Sequence, residues 1–264
     1  MVLVGHGDLQ LPLFWELLDN KSGNSSSQDR IDLLEKLFTV VDKNRVGLIL
    51  GDREFVGQKW IKYLKSNNLN FIMRFPKHHL MSDREATSWR IEERAVALHQ
   101  VYCFAEVLVD GCVGNVLVMR LSESEYLYLF GNVEPKVMGQ LYRKRWSIES
   151  CFQNLKGRGF DLEETHLQCR KKLSKLLGLV SLTYAFCVSM GVYLHQKVQS
   201  IKLKKHGYKA NSFARHGLNG LRSVLRPHKP KRPSSWPAWM DKVAELFRWF
   251  RIQIAHYQQT ILAG

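Results

Sequence analysis

Leu141-Tyr-Arg-Lys-Arg-Trp-Ser-Ile-Glu-Ser-Cys-Phe-Gln-Asn-Leu-Lys156 is the stretch on which the reading of this chain turns. The pattern predicts that helix returns after Pro135 and runs to about Lys156. With roughly 100° of rotation per residue, Tyr142, Arg145, Glu149 and Lys156 fall on a stripe about 60° wide. Leu141, Ile148, Phe152 and Leu155 cluster on the neighbouring face. One side of this helix is therefore core. The side next to it displays a phenol, two cations and a carboxylate in a line.

That line has a chemical logic. A carboxylate can hold a divalent cation, while flanking cations and a phenol hold the phosphates of a strand laid across it. Phosphoryl transfer needs that combination, because its catalysis is mostly positioning and charge neutralisation. The plain alternative is a solvated face with an Arg145–Glu149 ion pair at i,i+4 spacing. A second acid adds weight. Asp52 directly follows the apolar run Val46-Gly-Leu-Ile-Leu-Gly51, which reads as a buried strand. Ligands of open α/β sheets gather outside the carboxyl ends of strands. An acid there and an acid on a packed helix could share two metal ions about 3.5–4 Å apart. Asp52 also reads as a turn residue or an N-cap, since Arg53-Glu54 follows.

The chain around these residues alternates strand and helix. Val2 and Val4, the turn Gly5–Asp8 and the run Leu9–Leu17 give a hairpin, followed by a polar loop over Lys21–Ser27. Helical spacing predicts Arg30–Asp42 and Gln58–Ser66, and Phe71–Phe75 is a strand stopped by Pro76. From about His79 the pattern becomes β-rich. Val101–Val109, Asn115–Leu121 and Tyr126–Phe130 are strands, with Asp110-Gly111 as a hairpin turn. These divisions give residues 1–78 as the start of an α/β domain and 79–134 as an antiparallel insertion. Residues 135–198 carry the Glu149 helix and a long apolar helix, Arg170–Val198. Residues 199–264 form a basic region, irregular over much of Lys202–Arg232 because Gly and Pro break it often, with a terminal amphipathic helix over Ala238–Ile261.

The net charge is +15, which points to a polyanionic partner, nucleic acid before a membrane surface. The acid-free stretch Lys202–Arg232 and Lys171, Lys172 and Lys175 supply phosphate contacts, with a solvated tail as the plain alternative. Leu176–Leu194 has no charged residue and approaches spanning length, but its Gly, Ser and Thr interruptions favour a core helix over a membrane span. Five cysteines without paired metal spacing suit reduced thiols in a cytosolic protein.

Tyr142-x2-Arg145-x3-Glu149-x6-Lys156 resembles the Tyr-Arg-Glu-Lys signature of bacterial insertion-sequence transposases of the Asp-Asp-Glu, RNase H-like superfamily. Gly51-Asp52-Arg53-Glu54-Phe55 is similar to the block around that family's second catalytic aspartate. Leu11–Trp15 with Gly23-Asn24-Ser25, and Gly159–His166, fit as well, so the resemblance runs from about residue 9 to 225. It implies an α/β fold: an RNase H-like mixed sheet flanked by helices, with the β insertion before the glutamate helix. It implies cut-and-paste transposition of an insertion sequence on double-stranded DNA, both transposon ends and target, in a homodimeric synaptic complex in the bacterial cytoplasm. Two Mg²⁺ ions, or Mn²⁺ in their place, would be held by two aspartates and a glutamate. By the same resemblance Asp52 and Glu149 are catalytic metal ligands, and Tyr142, Arg145, Lys156 and Arg53 lie on DNA. Trp146 reads as packing, with stacking on DNA as its alternative.

In that family the first aspartate precedes the hairpin. Asp8 falls at the hairpin turn and reads as a turn residue. The expectation is therefore an N-terminally truncated chain lacking the first, central strand and its carboxylate, and so catalytically impaired. The alternatives are a non-catalytic DNA-binding remnant or regulator of an intact copy, another two-metal nuclease of the same superfold, and a membrane-anchored basic protein.

Overall fold

A computed structural model of the chain describes residues 1–6, 9–18, 24–82, 88–90, 96–157, 160–205 and 207–225. In chain order the first elements are β1 (Val2–His6), β2 (Leu9–Phe14), α1 (Ser27–Phe38), β3 (Ile49–Gly51), α2 (Gln58–Ser66) and β4 (Phe71–Arg74). Then come β5 (Leu80–Ser82), β6 (Ser88–Arg90), β7 (Val101–Val109), β8 (Cys112–Arg120) and β9 (Tyr126–Gly131). The last are α3 (Pro135–Tyr142), α4 (Trp146–Lys156), α5 (Arg170–Lys197) and α6 (Phe213–Leu225). The chain divides into two compact units, Phe14–Glu149 with Met1, and Val2–Leu13 with Ser150–Gly264.

The first unit is built on one mixed seven-stranded sheet of order β3-β4-β9-β8-β7-β5-β6. Among the described residues β3 and β4 run parallel and the other pairs are antiparallel. The β-rich runs expected as an insertion thus continue the same sheet as β3 and β4. Alternation along the strands sorts the core. Leu50, Ile72, Leu117, Met119, Leu127 and Leu129 point to the face covered by Met138 and Tyr142 of α3. Their neighbours Phe71 and Phe130 pack ring on ring on the other face, with Phe75 edge-on against Phe130. The β7–β8 turn has positive φ at both Asp110 (48°) and Gly111 (74°), as a two-residue hairpin of this hand requires.

Several boundaries differ from the sequence reading. The run Val46–Gly51 pairs only from Ile49, because Lys43–Arg45 forms a 3₁₀ turn capped by the Asp42 carboxylate. The helix expected to run unbroken from Pro135 tightens into a 3₁₀ turn at Arg143–Arg145, between α3 and α4. Helix α1 starts earlier than its apolar spacing indicates, at a capping box in which Ser26 Oγ accepts from the Asp29 N–H and the Asp29 carboxylate accepts from the Ser26 N–H.

The second unit contains the two-stranded β1-β2 sheet and the pair α5 and α6. Cys151, Leu155, Tyr184, Val188 and Ala214 form its core, with Leu3 and Leu11 packed against them. The glycines of α6 read as breaks in an irregular stretch, yet Phe213–Leu225 is helical, capped by Ser212 Oγ accepting from Arg215 N–H at 3.2 Å. A Cβ on Gly217 would collide with the Cys187 carbonyl, and one on Gly191 with the Phe213 carbonyl. These glycines let two helix backbones touch, which local propensity does not reveal. By length and hydropathy α5 is able to cross a membrane. It buries Leu177, Ser181, Tyr184, Cys187, Val188, Met190 and Gly191, whereas Leu179 and Leu182 are exposed. All five cysteines are free thiols. Asp8, the first part of the Lys21–Ser27 loop, Gly159, the end of the basic stretch beyond Leu225 and the helix expected over Ala238–Ile261 lie outside the described residues.

Candidate functional site

Asp52 is the residue that follows β3, at the carboxyl end of a strand paired in parallel with β4. Its Oδ1 accepts the Arg53 N–H at 2.8 Å and caps the 3₁₀ turn Arg53–Phe55. The N-cap reading is therefore right, and it leaves Oδ2 for another partner. The turn folds back tightly: a Cβ at Gly51 would collide with Met73 Sδ and Phe55 Cβ. The buried Arg30 of α1 lies over the Phe55 ring at 4.8 Å and holds the turn from its other side.

Tyr142 closes α3. Its hydroxyl donates to the Gly51 carbonyl at 3.2 Å, so the end of the helix is tied to the strand that presents Asp52. The sequence stripe put this phenol on the displayed side; the structure corrects that, leaving Tyr142 only 7% exposed. Tyr142 lies one helical turn beyond Met138, and both face Ile72, Leu117 and Leu129. Burial pushes its pKa up, although the neighbouring Arg145 pulls the other way.

Beyond the tightened turn, Arg145 Nη2 donates to Glu149 Oε1 at 2.6 Å and Nη1 lies 3.5 Å from Asp52 Oδ2. The Tyr142 ring lies 5.7 Å from the guanidinium carbon. Arg145 is 11% exposed at the side chain, against 44% for Asp52 and 41% for Glu149. Burial alone would lower the pKa of this guanidinium, but Tyr142, the Glu149 hydrogen bond and the two carboxylate charges together raise it. Two acids from separate elements thus converge on one part-buried cation and remain partly open to water.

The remaining expected residues are placed as follows. Arg53 is exposed beside Asp52. Trp146 is 70% exposed at the first position of α4, which overturns its reading as a packing residue. The buried residues of α4 are Cys151, Asn154 and Leu155, and the indole is not among them. Lys156 is the exposed last residue of α4 and belongs to the second unit. Arg30 and Gly51 support the site; sequence reasoning missed Arg30 and gave Gly51 no role beyond its place in the Asp52 block. The Gly-Asp junction could have signalled Gly51, whereas nothing local marks Arg30.

The donors fit a small divalent cation. Carboxylate oxygens are the hard ligands that Mg²⁺ and Mn²⁺ take, and a positive group already stands between them. Among the described residues no group of three or more His, Cys, Asp or Glu is gathered in one place. In comparison with known proteins, a family model described as the transposase DDE domain matches residues 21–186, which include every residue of the site. No curated protein matches the chain.

Proposed function

The chain belongs to the transposase DDE domain family, and from that premise we propose that it works on double-stranded DNA as the transposase of a bacterial insertion sequence, with Asp52 and Glu149 as its acidic centre. The observation that carries the proposal is the convergence of both carboxylates on the Arg145 guanidinium. Asp52 and Glu149 would hold divalent metal, which supplies activation of an oxygen nucleophile and neutralisation of phosphate charge when bound. The chain's own residues do the rest. Tyr142 fixes the strand end against the helix. Arg53, Arg145 and Lys156 take backbone phosphates, and Trp146 offers an exposed ring for stacking on a base. The net charge of +15 supplies the long-range attraction for the duplex. A homodimer that pairs two DNA ends completes the proposal.

With a guanidinium standing between the two carboxylates that the described residues bring together, the centre would hold DNA more readily than it cuts it. A regulator of an intact copy would have the same properties. The test is binding and cleavage of the DNA that flanks the gene, with Mn²⁺ present. The expected result is binding that weakens steeply with salt and little cleavage. Cleavage abolished by Glu149→Gln would overturn the low activity while supporting the acidic centre. Binding indifferent to salt would overturn the assignment of DNA as partner.

A further inference from the structure

Building on that reading of the site, we propose that Arg145 is the resident cation of the metal-free centre, and that divalent metal displaces it toward a DNA phosphate, so that metal and DNA bind cooperatively. The i,i+4 contact with Glu149 alone would be ordinary helix chemistry. What helix spacing does not supply is the second contact, to Asp52 at the end of a strand ninety-odd residues earlier. One guanidinium forks between two acids that would otherwise repel each other, as its planar donor set allows.

The exposures give the direction of exchange. Both carboxylates are well open to water, while the Arg145 side chain is part-buried with the Tyr142 ring nearby. A small cation arriving from solvent meets the carboxylates first. Once it is bound, the guanidinium has lost both partners and lies beside a like charge in a poorly hydrated place. It needs a new anion, and the polyanion that this basic chain attracts is DNA. The first ligand therefore removes a cost from the binding of the second, and linkage makes the effect reciprocal. Arg145 acts here as a positioning residue: it holds Asp52 and Glu149 near each other before any metal arrives and then exchanges partners.

The experiment measures Mn²⁺ binding to the full chain without DNA, from the loss of the free-ion electron paramagnetic resonance signal. The proteins are the wild type, Arg145→Gln, Arg145→Lys and Glu149→Gln, with folding checked by circular dichroism. Arg145→Gln removes the competing cation and should bind Mn²⁺ about tenfold more tightly than wild type. Arg145→Lys keeps a charge but cannot fork to both acids, so it should fall between them; it also serves if Arg145→Gln does not fold. Glu149→Gln should bind most weakly. A second measurement follows duplex DNA affinity against salt. Mn²⁺ should steepen the wild-type slope by about one phosphate, roughly 0.9 in log–log terms, and should not do so in Arg145→Gln or Arg145→Lys. If the Arg145 variants bind Mn²⁺ no more tightly than wild type while Glu149→Gln binds less, the exchange is refuted and the acidic centre stands. If Glu149→Gln leaves Mn²⁺ binding unchanged, the acidic centre itself falls and the exchange with it.

Discussion

Tyr142→Phe separates the anchoring role of this residue from a DNA contact. The substitution removes one hydroxyl and keeps the ring, so the packing against Ile72, Leu117, Leu129 and Met138 is retained. The proximity of the ring to Arg145 is kept as well. What is lost is the hydrogen bond to the buried Gly51 carbonyl at 3.2 Å. Such a bond contributes about 0.5–1.5 kcal/mol net, and an acceptor left unsatisfied in the interior raises the loss toward the upper end. The expected destabilisation is about 1 kcal/mol, or roughly 2–4 °C in melting temperature for a domain of this size. Urea titration of wild type and variant reads it as a shift in midpoint at unchanged slope. The same two proteins are then titrated with duplex DNA at several salt concentrations. A phenol lying on a phosphate would change DNA affinity when removed; a phenol sealed in the core changes stability and leaves both affinity and salt slope as they were. Full stability in Tyr142→Phe combined with weakened DNA binding would refute the anchoring argument and restore the phenol to the DNA.

Three further predictions follow from single contacts. Trp146→Ala should leave stability within about 0.5 kcal/mol of wild type, as for other exposed positions, but weaken binding to DNA with unpaired bases by about 1–3 kcal/mol if the ring stacks. A large stability loss with unchanged DNA affinity would reinstate the packing role. Gly191→Ala is a helix-favouring change worth up to about 1 kcal/mol in an isolated helix. Here its Cβ meets the Phe213 carbonyl, so the net effect should be destabilising by about 1–3 kcal/mol in thermal or urea melts, and a stabilised variant would contradict the backbone contact between α5 and α6. Burial raises the thiols of Cys151 and Cys187 from an ordinary 9.0 to about 11. The folded chain then holds protons that the unfolded chain releases, so their contribution is complete below pH 9 and is lost as pH rises toward 11. Replacing both with alanine should flatten the fall in stability over that window, and an unchanged pH profile would show that these thiols do not titrate as buried groups.

The sequence carried the elements well where their pattern is local. Strand runs such as Val101–Val109 and the helix Gln58–Ser66 appear with the boundaries that alternation and helical spacing predict. It carried the site as a set of types and spacings, because an acid after an apolar strand and an acid on an amphipathic helix are both visible in one dimension. Errors arose where a third dimension intervened. Tyr142 is buried because α3 lays it with Met138 against Ile72, Leu117 and Leu129 of the sheet, and Trp146 is exposed because it lies across α4 from the buried Cys151 and Leu155. Gly217 and Gly220 looked like helix breakers because propensity is a property of one chain segment, whereas their use is a contact with another.

By itself, then, the sequence put forward Asp52 and Glu149 as candidate acids and determined the basic character of the chain and the alternation of strand and helix. These depend on residue type and local period, which are properties of the chain alone. Tertiary structure decided which groups meet. It brought the Tyr142 hydroxyl to the Gly51 carbonyl and closed one guanidinium on two carboxylates. The physical reason is that a hydrogen bond or an ion pair depends on distance and solvation, and both are set only when β3, α3 and α4 have packed.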